Sequence, residues 1–316
     1  MSDLTTDILK PDDAGFQRAA EIWQAGGLVA LPTETVYGLG ADARQDLAVA
    51  RIFEAKGRPR FNPLIVHIAE ISQAKALVEW TDLADRLASA FWPGPLTLVL
   101  PIRADSGLSP LVTAELPTLA IRMPAHPVAR TALKLFDGPI AAPSANPSGK
   151  ISPTTADHVI AGLSGNIDAI LDGGACEVGL ESTIVGLADE PILLRPGGLP
   201  REALEAALGA PLKDHTEGDP LVAPGQMTSH YAPGAAVRLN ASSKTENEVL
   251  LGFGDMACDL NLSPSGDLRE AAANLFHHLH ALDAMGARGI AVAPVPDQGL
   301  GVAINDRLRR AAAPRD

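Results

Sequence analysis

Short apolar runs, each the length of a buried strand, alternate with stretches of helical spacing, and this rhythm most constrains the fold. Runs at 28–31, 64–68, 96–100, 119–122, 140–142, 169–171, 183–185 and 192–194 are bounded by Gly, Pro and small polar residues, which reads as strands. Helical spacing occupies 16–25, closed by Gly26-Gly27, and recurs at 47–55 and 83–91. Interleaving of this kind predicts an α/β fold, a mixed twisted sheet with flanking helices over 15–207. Residues 208–234 change character. Asp214-His215-Thr216-Glu217-Gly218-Asp219-Pro220, Pro224-Gly225 and Pro233-Gly234 read as a linker. Beyond it, strands at 236–239, 249–251 and 289–293 with helices at 268–282 and 304–312 predict a smaller αβ domain over 235–316.

The 316 residues suggest two domains. A hydrophobic content of 46% supports a packed core. The net charge of -13 and the 4% aromatic content argue against a general nucleic-acid surface and against base-stacking platforms. Cys176 and Cys258 are far apart, with no metal-type spacing and no disulfide framework. The acidic, polar start, Met1 to Asp7, does not read as a signal peptide, and no apolar run reaches spanning length. The expectation is a cytoplasmic protein without a membrane segment.

Against this acidic background, Lys56-Gly57-Arg58-Pro59-Arg60 is a compact basic knot. It reads either as a solvated turn or as an anion-holding segment, with phosphate the first candidate. Pro59 biases Arg58 towards extended backbone, which would direct Lys56, Arg58 and Arg60 to one side. Upstream, Thr33, Thr35 and Tyr37 alternate, so an extended chain would present three hydroxyls on one face; a Thr-stabilised turn is the other reading. Asn62 and His67 follow the basic knot. Thr118 and Arg122 lie on one strand, Arg122 near its end, where open α/β sheets bind ligands. Ser144 and Asn146 lie in the turn Pro143-Ser144-Ala145-Asn146-Pro147-Ser148-Gly149. Glu181-Ser182-Thr183 and Arg195-Pro196-Gly197 each adjoin a short strand. Ser148-Gly149-Lys150 is not a phosphate-binding P-loop, because Ser144 stands where the upstream glycine belongs. His277, His278 and His280 are dense on one helix but have no cysteine or carboxylate partner at metal spacing.

The order of these segments is more specific than any one of them. The series Pro-Thr-Glu-Thr-Val-Tyr-Gly-Leu-Gly, Lys-Gly-Arg-Pro, Asn-Pro-Leu, Trp-Pro-Gly-Pro-Leu-Thr, Arg-x-Pro, Ser-Ala-Asn, Glu-Ser-Thr and Arg-Pro-Gly resembles the YrdC-type threonylcarbamoyl-AMP synthases over roughly residues 15–200. Pro224-Gly225-Gln226-Met227-Thr228-Ser229-His230-Tyr231-Ala232-Pro233 resembles the linker of the family's long form, which carries a small C-terminal αβ, Rossmann-like domain.

The resemblance implies condensation of L-threonine, bicarbonate or CO2, and ATP to threonylcarbamoyl-AMP and pyrophosphate. Magnesium enters with ATP and no protein-bound metal is implied. The product goes to a tRNA-modifying transferase. The resemblance also implies that Lys56 and Arg58 act on phosphate or carbamate. Thr33, Thr35, Tyr37, Asn62, His67, Thr118, Arg122, Ser144, Asn146, Ser182 and Arg195 are expected around the substrates, with His230 and Tyr231 on a lid. Gly186, where an Asp is usual, and Leu199-Pro200 depart from the family pattern. An RNA-binding module without synthase activity is the alternative reading, with weak tRNA contact its consequence.

Overall fold

The structure, a computed structural model, describes residues 4–215, 223–225 and 229–314. Eleven strands of the described residues form one mixed sheet: β1 (Asp7–Leu9), β2 (Val29–Leu31), β3 (Gly38–Asp42), β4 (Ile65–His67), β5 (Leu96–Pro101), β6 (Thr118–Arg122), β7 (Ile140–Ala141), β8 (Ala169–Leu171), β9 (Thr183–Gly186), β10 (Ile192–Arg195) and β11 (Lys213–Asp214). Their order is β1-β8-β2-β3-β7-β4-β6-β5-β9-β10-β11. A second sheet holds β12 (Ala236–Arg238), β13 (Glu248–Gly252), β14 (Leu260–Asn261) and β15 (Gly289–Val292) in the order β12-β15-β13-β14, all parallel. The expected fold class is observed.

The strand segments read from the sequence are all present. The linker is shorter than expected at its start, because β11 pairs with β10 and keeps residues to 214 in the large sheet. A two-residue strand is too short to leave a periodic signal. Residues 216–222 and 226–228 of the linker, including Gln226, Met227 and Thr228, lie outside the described residues.

Alternation along the central strands explains where the site forms. Val66, Leu98, Leu100, Leu119, Ile121 and Val185 point to one face, in a core that includes Val49, Ile52, Leu87 and Leu204 from the helices Asp46–Lys56, Asp82–Phe91 and Arg201–Leu208. Their neighbours point to the other face, where side chains at i and i+2 line up. There Ile65, Val99, Ala120, Ile184 and Leu194 make an apolar floor joined by Ala223 of the linker. His67 and Arg122 extend that floor as cross-strand partners, and Thr97 pairs with Arg122 on its other side. Polar residues thus enter apparently apolar strands at one row of the sheet.

The two domains share a core. Val36, Ile151 and Leu180 from the larger domain pack in one cluster with Tyr231 and with Leu275, Phe276 and Leu279 of the helix Leu268–Ala284. Gly179 sits at the closest approach: a Cβ there would meet the Cα of Ala273 at 2.5 Å. Its φ of +71° adds a second reason for glycine.

Candidate active site

A narrow cavity opens where the polar row meets the linker. Its wall includes Thr33, Thr35, Arg58, His67, Arg122, Ser144, Glu181, Ser182, Arg195, His230 and Tyr231, with Pro224 and Gly225. Three guanidinium groups in a protein of net charge -13 define a local cationic site.

The basic knot divides. Lys56 and Arg58 are buried, whereas Arg60 is exposed; the expectation that all three point together is corrected. Gly57 caps the preceding helix in the left-handed region and turns the chain between Lys56 and Arg58. The Lys56 amine donates to the Ser144 carbonyl at 2.6 Å and to the Asn146 carbonyl, so it braces the Ser-Ala-Asn turn. Burial pushes the Lys56 pKa well below its ordinary value, and the nearby Arg58 charge adds to the effect. Arg58 donates to the Asn62 and Pro63 carbonyls at 3.3 and 2.9 Å and lines the cavity. Burial, with Arg195, brings the Arg58 pKa down to about 10, so its charge persists at neutral pH.

Residues 33–36 do not continue an extended strand. The chain bends, and the Thr33 hydroxyl donates to the Val36 carbonyl at 2.7 Å while accepting from the backbone amides of Thr35 and Val36. The Thr33 and Thr35 hydroxyls lie 2.8 Å apart, and Thr35 accepts from Arg122 at 2.8 Å. Tyr37 turns away: its hydroxyl donates to the Gly174 carbonyl at 2.7 Å, and burial raises its pKa. The one-face arrangement of three hydroxyls is therefore corrected, because local hydroxyl-to-backbone bonds favour the turn.

Arg122 is fixed from every side. It donates to Glu34 at 2.5 Å, to Thr35 and to the Gly94 carbonyl, while Glu34 also accepts from the Ala125 amide. His67 packs beside it; burial, reinforced by the Arg122 charge, lowers its pKa to about 3, leaving a neutral ring. Arg195 donates to the Ser182 carbonyl at 2.9 Å and to the Pro224 carbonyl at 3.1 Å. The Ser182 hydroxyl is 2.7 Å from that of Thr97.

The linker closes the opposite side. Ala232 donates to the Gly149 carbonyl and His230 to the Arg310 carbonyl, which pins His230-Tyr231 between both domains. Burial brings the His230 pKa to about 3, with Arg58, Lys56 and Arg195 acting in the same direction against Glu181. At Gly225, φ is +82°, and a Cβ would meet Arg195 Nη1 and the Tyr231 hydroxyl oxygen, each at 2.9 Å.

Asn62 and Asn146 are buried behind the wall; the Asn146 amide donates to the carbonyls of Pro147 and Lys150. Thr118 is corrected in position. It faces the same side as Arg122 but four residues earlier, about 13 Å along the strand, and lines a separate cavity with Gly186, Ile192 and Lys213. Gly186 packs against Ile192 and Leu194, and the Leu199 backbone exchanges two hydrogen bonds with the Thr183 hydroxyl. The histidine group packs against His158, which stacks on His280 at 3.9 Å. Among the described residues, no three His, Cys, Asp or Glu side chains are arranged to hold a metal ion, and no helix is long and apolar enough to cross a membrane.

Sequence reasoning left out Glu34, Thr97, Glu181 and Arg307 as site residues. Glu34 and Glu181 stood inside quoted motifs, and a buried cation needing a partner was the signal for them. Arg307 carried none, as one of several arginines on the last helix.

A mixed sheet whose polar row forms a cation-lined cavity, closed by a linker from a second domain, is the architecture of a YrdC-like α/β enzyme. Residues 21–197 match the family described as Telomere recombination, the Sua5, YciO and YrdC domain, and residues 199–313 match Threonylcarbamoyl-AMP synthase, C-terminal domain. The chain belongs to the threonylcarbamoyl-AMP synthase family in its two-domain form, and is a nucleotidyltransferase-type enzyme. It is 44% identical to the threonylcarbamoyl-AMP synthase of Pyrococcus abyssi, covering 94% of each chain. Against that of Bacillus subtilis it is 42% identical, covering 98% of this chain and 96% of the relative. A crystal structure of P. abyssi Sua5 complexed with L-threonine superposes with a TM-score of 0.90 at 41% identity, over 97% of this chain and 98% of that one. The E. coli YciO structure shares the fold of the larger domain, with a TM-score of 0.55 at 22% identity, over 61% of this chain and 96% of that one.

Proposed function

We propose that this chain condenses L-threonine, bicarbonate-derived CO2 and ATP to threonylcarbamoyl-AMP and pyrophosphate, using the cavity between the polar sheet row and the linker. The observation that carries this reading is the convergence of Arg58, Arg122 and Arg195 on one narrow cavity with the Ser144 and Ser182 hydroxyls. Threonine's amine adds to CO2 with loss of a proton, giving a carbamate. A carbamate oxygen then attacks the α-phosphorus of ATP, the bond to the β-phosphate bridging oxygen breaks, and pyrophosphate leaves with its magnesium.

Both reactants are anions, so their approach is the main barrier, and fixed cations in a dry cavity lower it. Arg58 and Arg195 are assigned to the phosphates. Arg122, already committed to Glu34 and Thr35, is assigned to shaping the threonine end with His67. Lys56 is assigned to holding Ser144 and Asn146 in place. No general base is required once the carbamate has formed. His230 and Tyr231 exclude water from a hydrolysable mixed anhydride. The product would pass to a transferase that modifies tRNA beside the anticodon.

Pyrophosphate release is the test, with threonine and bicarbonate each omitted in turn. Release that requires both is the expected result. Release without threonine would indicate simple ATP hydrolysis or another acceptor. Absence of release from folded, magnesium-supplied protein would turn attention to RNA binding.

A further inference from the structure

Arg307 belongs to the C-terminal helix Leu300–Ala312, yet its side chain is fully buried against the catalytic domain. Its Nε donates to Glu181 Oε2 at 2.8 Å, and Nη1 donates to Asp306 at 2.6 Å. The guanidinium carbon lies 5.2 Å from the Tyr231 ring centre, within cation–π range. Of these, Glu181 and Tyr231 line the cavity. Glu181 also accepts from the Ser152 hydroxyl at 2.5 Å, so its carboxylate is fixed on both oxygens. Tyr231 has a φ of +61°, a conformation that an aromatic residue holds only when its surroundings impose it. Its ring is stacked on His230 at 4.1 Å and tilted against Phe276 at 5.5 Å.

We infer that Arg307 is a positioning residue through which the C-terminal domain sets the geometry of the substrate cavity, acting by way of Glu181 and Tyr231. The inference rests on the synthase reading for its kinetic consequences. Glu181 immediately precedes Ser182, whose hydroxyl and carbonyl meet Arg195. A displaced Glu181 carboxylate therefore moves the same short segment that holds a cavity arginine. Without Arg307, the Glu181 carboxylate would keep Arg195, Ser152, Tyr231 and His230 around it, with Asp306 as a second acid that loses the same partner. Burial alone would raise the Glu181 pKa; at present Arg307, then Arg195, hold it below the usual carboxylate value. Removing Arg307 should bring its protonation towards the working range.

The experiment compares the full-length protein with Arg307→Met, Arg307→Lys, Glu181→Gln and the Glu181→Gln/Arg307→Met pair. Steady-state pyrophosphate release is followed from acid to neutral pH, and ATP and L-threonine binding are measured by calorimetry. Arg307→Met should lower kcat/KM about 10- to 100-fold and move the acid limb of the pH profile to higher pH than in the parent. Arg307→Lys should recover most of the loss. In the Glu181→Gln background the Met substitution should cost less than about threefold. An equal cost in both backgrounds, or a loss of activity with an unshifted acid limb, would overturn the inference. If Arg307→Met does not fold, Arg307→Gln is read by the same criteria. If the parent fails to release pyrophosphate in a threonine- and bicarbonate-dependent way, the synthase reading fails by itself. Unchanged ATP and threonine affinities in the folded variant would then dispose of the positioning role separately.

Discussion

Two buried carboxylate–guanidinium pairs stand in or against the cavity wall, and they are assembled differently. Glu34–Arg122 joins a turn to a strand end within the large sheet, and each partner has further backbone bonds there. Glu181–Arg307 joins a strand end of that sheet to the last helix of the other domain. The first pair can form whenever the sheet forms. The second requires the C-terminal domain to be folded and docked. One of the two pairs is therefore intrinsic to the larger domain, and the other is conditional on its neighbour.

The largest effect is expected from opening the intrinsic pair. Arg122→Met should destabilise the protein by about 3–5 kcal/mol in urea unfolding, because it strands a buried carboxylate. Adding Glu34→Gln should recover much of that loss; no recovery would mean that packing, not charge, holds this wall. Arg58→Ala comes next, because it removes a cation from the cavity without stranding a buried acid. Its kcat/KM should fall about 10²- to 10³-fold, with a stability loss nearer 1–3 kcal/mol. Parallel losses of melting temperature and activity would make Arg58 a structural residue.

Acid should weaken the site through its neutral imidazoles. His67 and His230 are held to about 3, against about 6.5 in an unfolded chain. Between those values the unfolded chain binds more protons, so stability is complete above about pH 6.5 and is lost as pH falls towards 3. Each ring can contribute up to about 1.4 kcal/mol per pH unit. His67→Asn should flatten the acid side of a stability–pH profile, and an unchanged slope would show that this ring is not held neutral by folding. A smaller effect, about 1–2 kcal/mol, is expected for Gly225→Ala, together with weakened turnover, since the new methyl meets both Arg195 and Tyr231. The least effect should come from Arg103→Ala, which opens an exposed pair with Asp105; its melting temperature should match the parent's, because solvent screens such a pair.

The sequence made the sheet legible because buried strands must be apolar and must end in turn residues. Runs at 64–68 and 96–100 became β4 and β5 with boundaries shifted by one residue. Four strands were not read: β1, β11 and β14 are short and lie at sheet edges, and β3 is the glycine-interrupted Gly38-Leu39-Gly40-Ala41-Asp42. Cavity-lining residues were legible by type and adjacency, as at Arg58 and Ser182. Their directions were not. Tyr37 and Thr118 sit near the right segments, but one hydroxyl turns to Gly174 and the other side chain lines a second cavity.

What the chain determined by itself is local: strand lengths, the glycine-capped helix ending at Lys56, the Thr33 turn, and the order of motifs that marks the family. What only the tertiary structure decided is which charges meet. Glu34 and Arg122 are 88 residues apart, and Glu181 and Arg307 are 126 apart. Their pairing arises from strand order and domain docking. A buried charge is tolerated only where folding brings its partner, and that partner is invisible at the distance over which sequence patterns act.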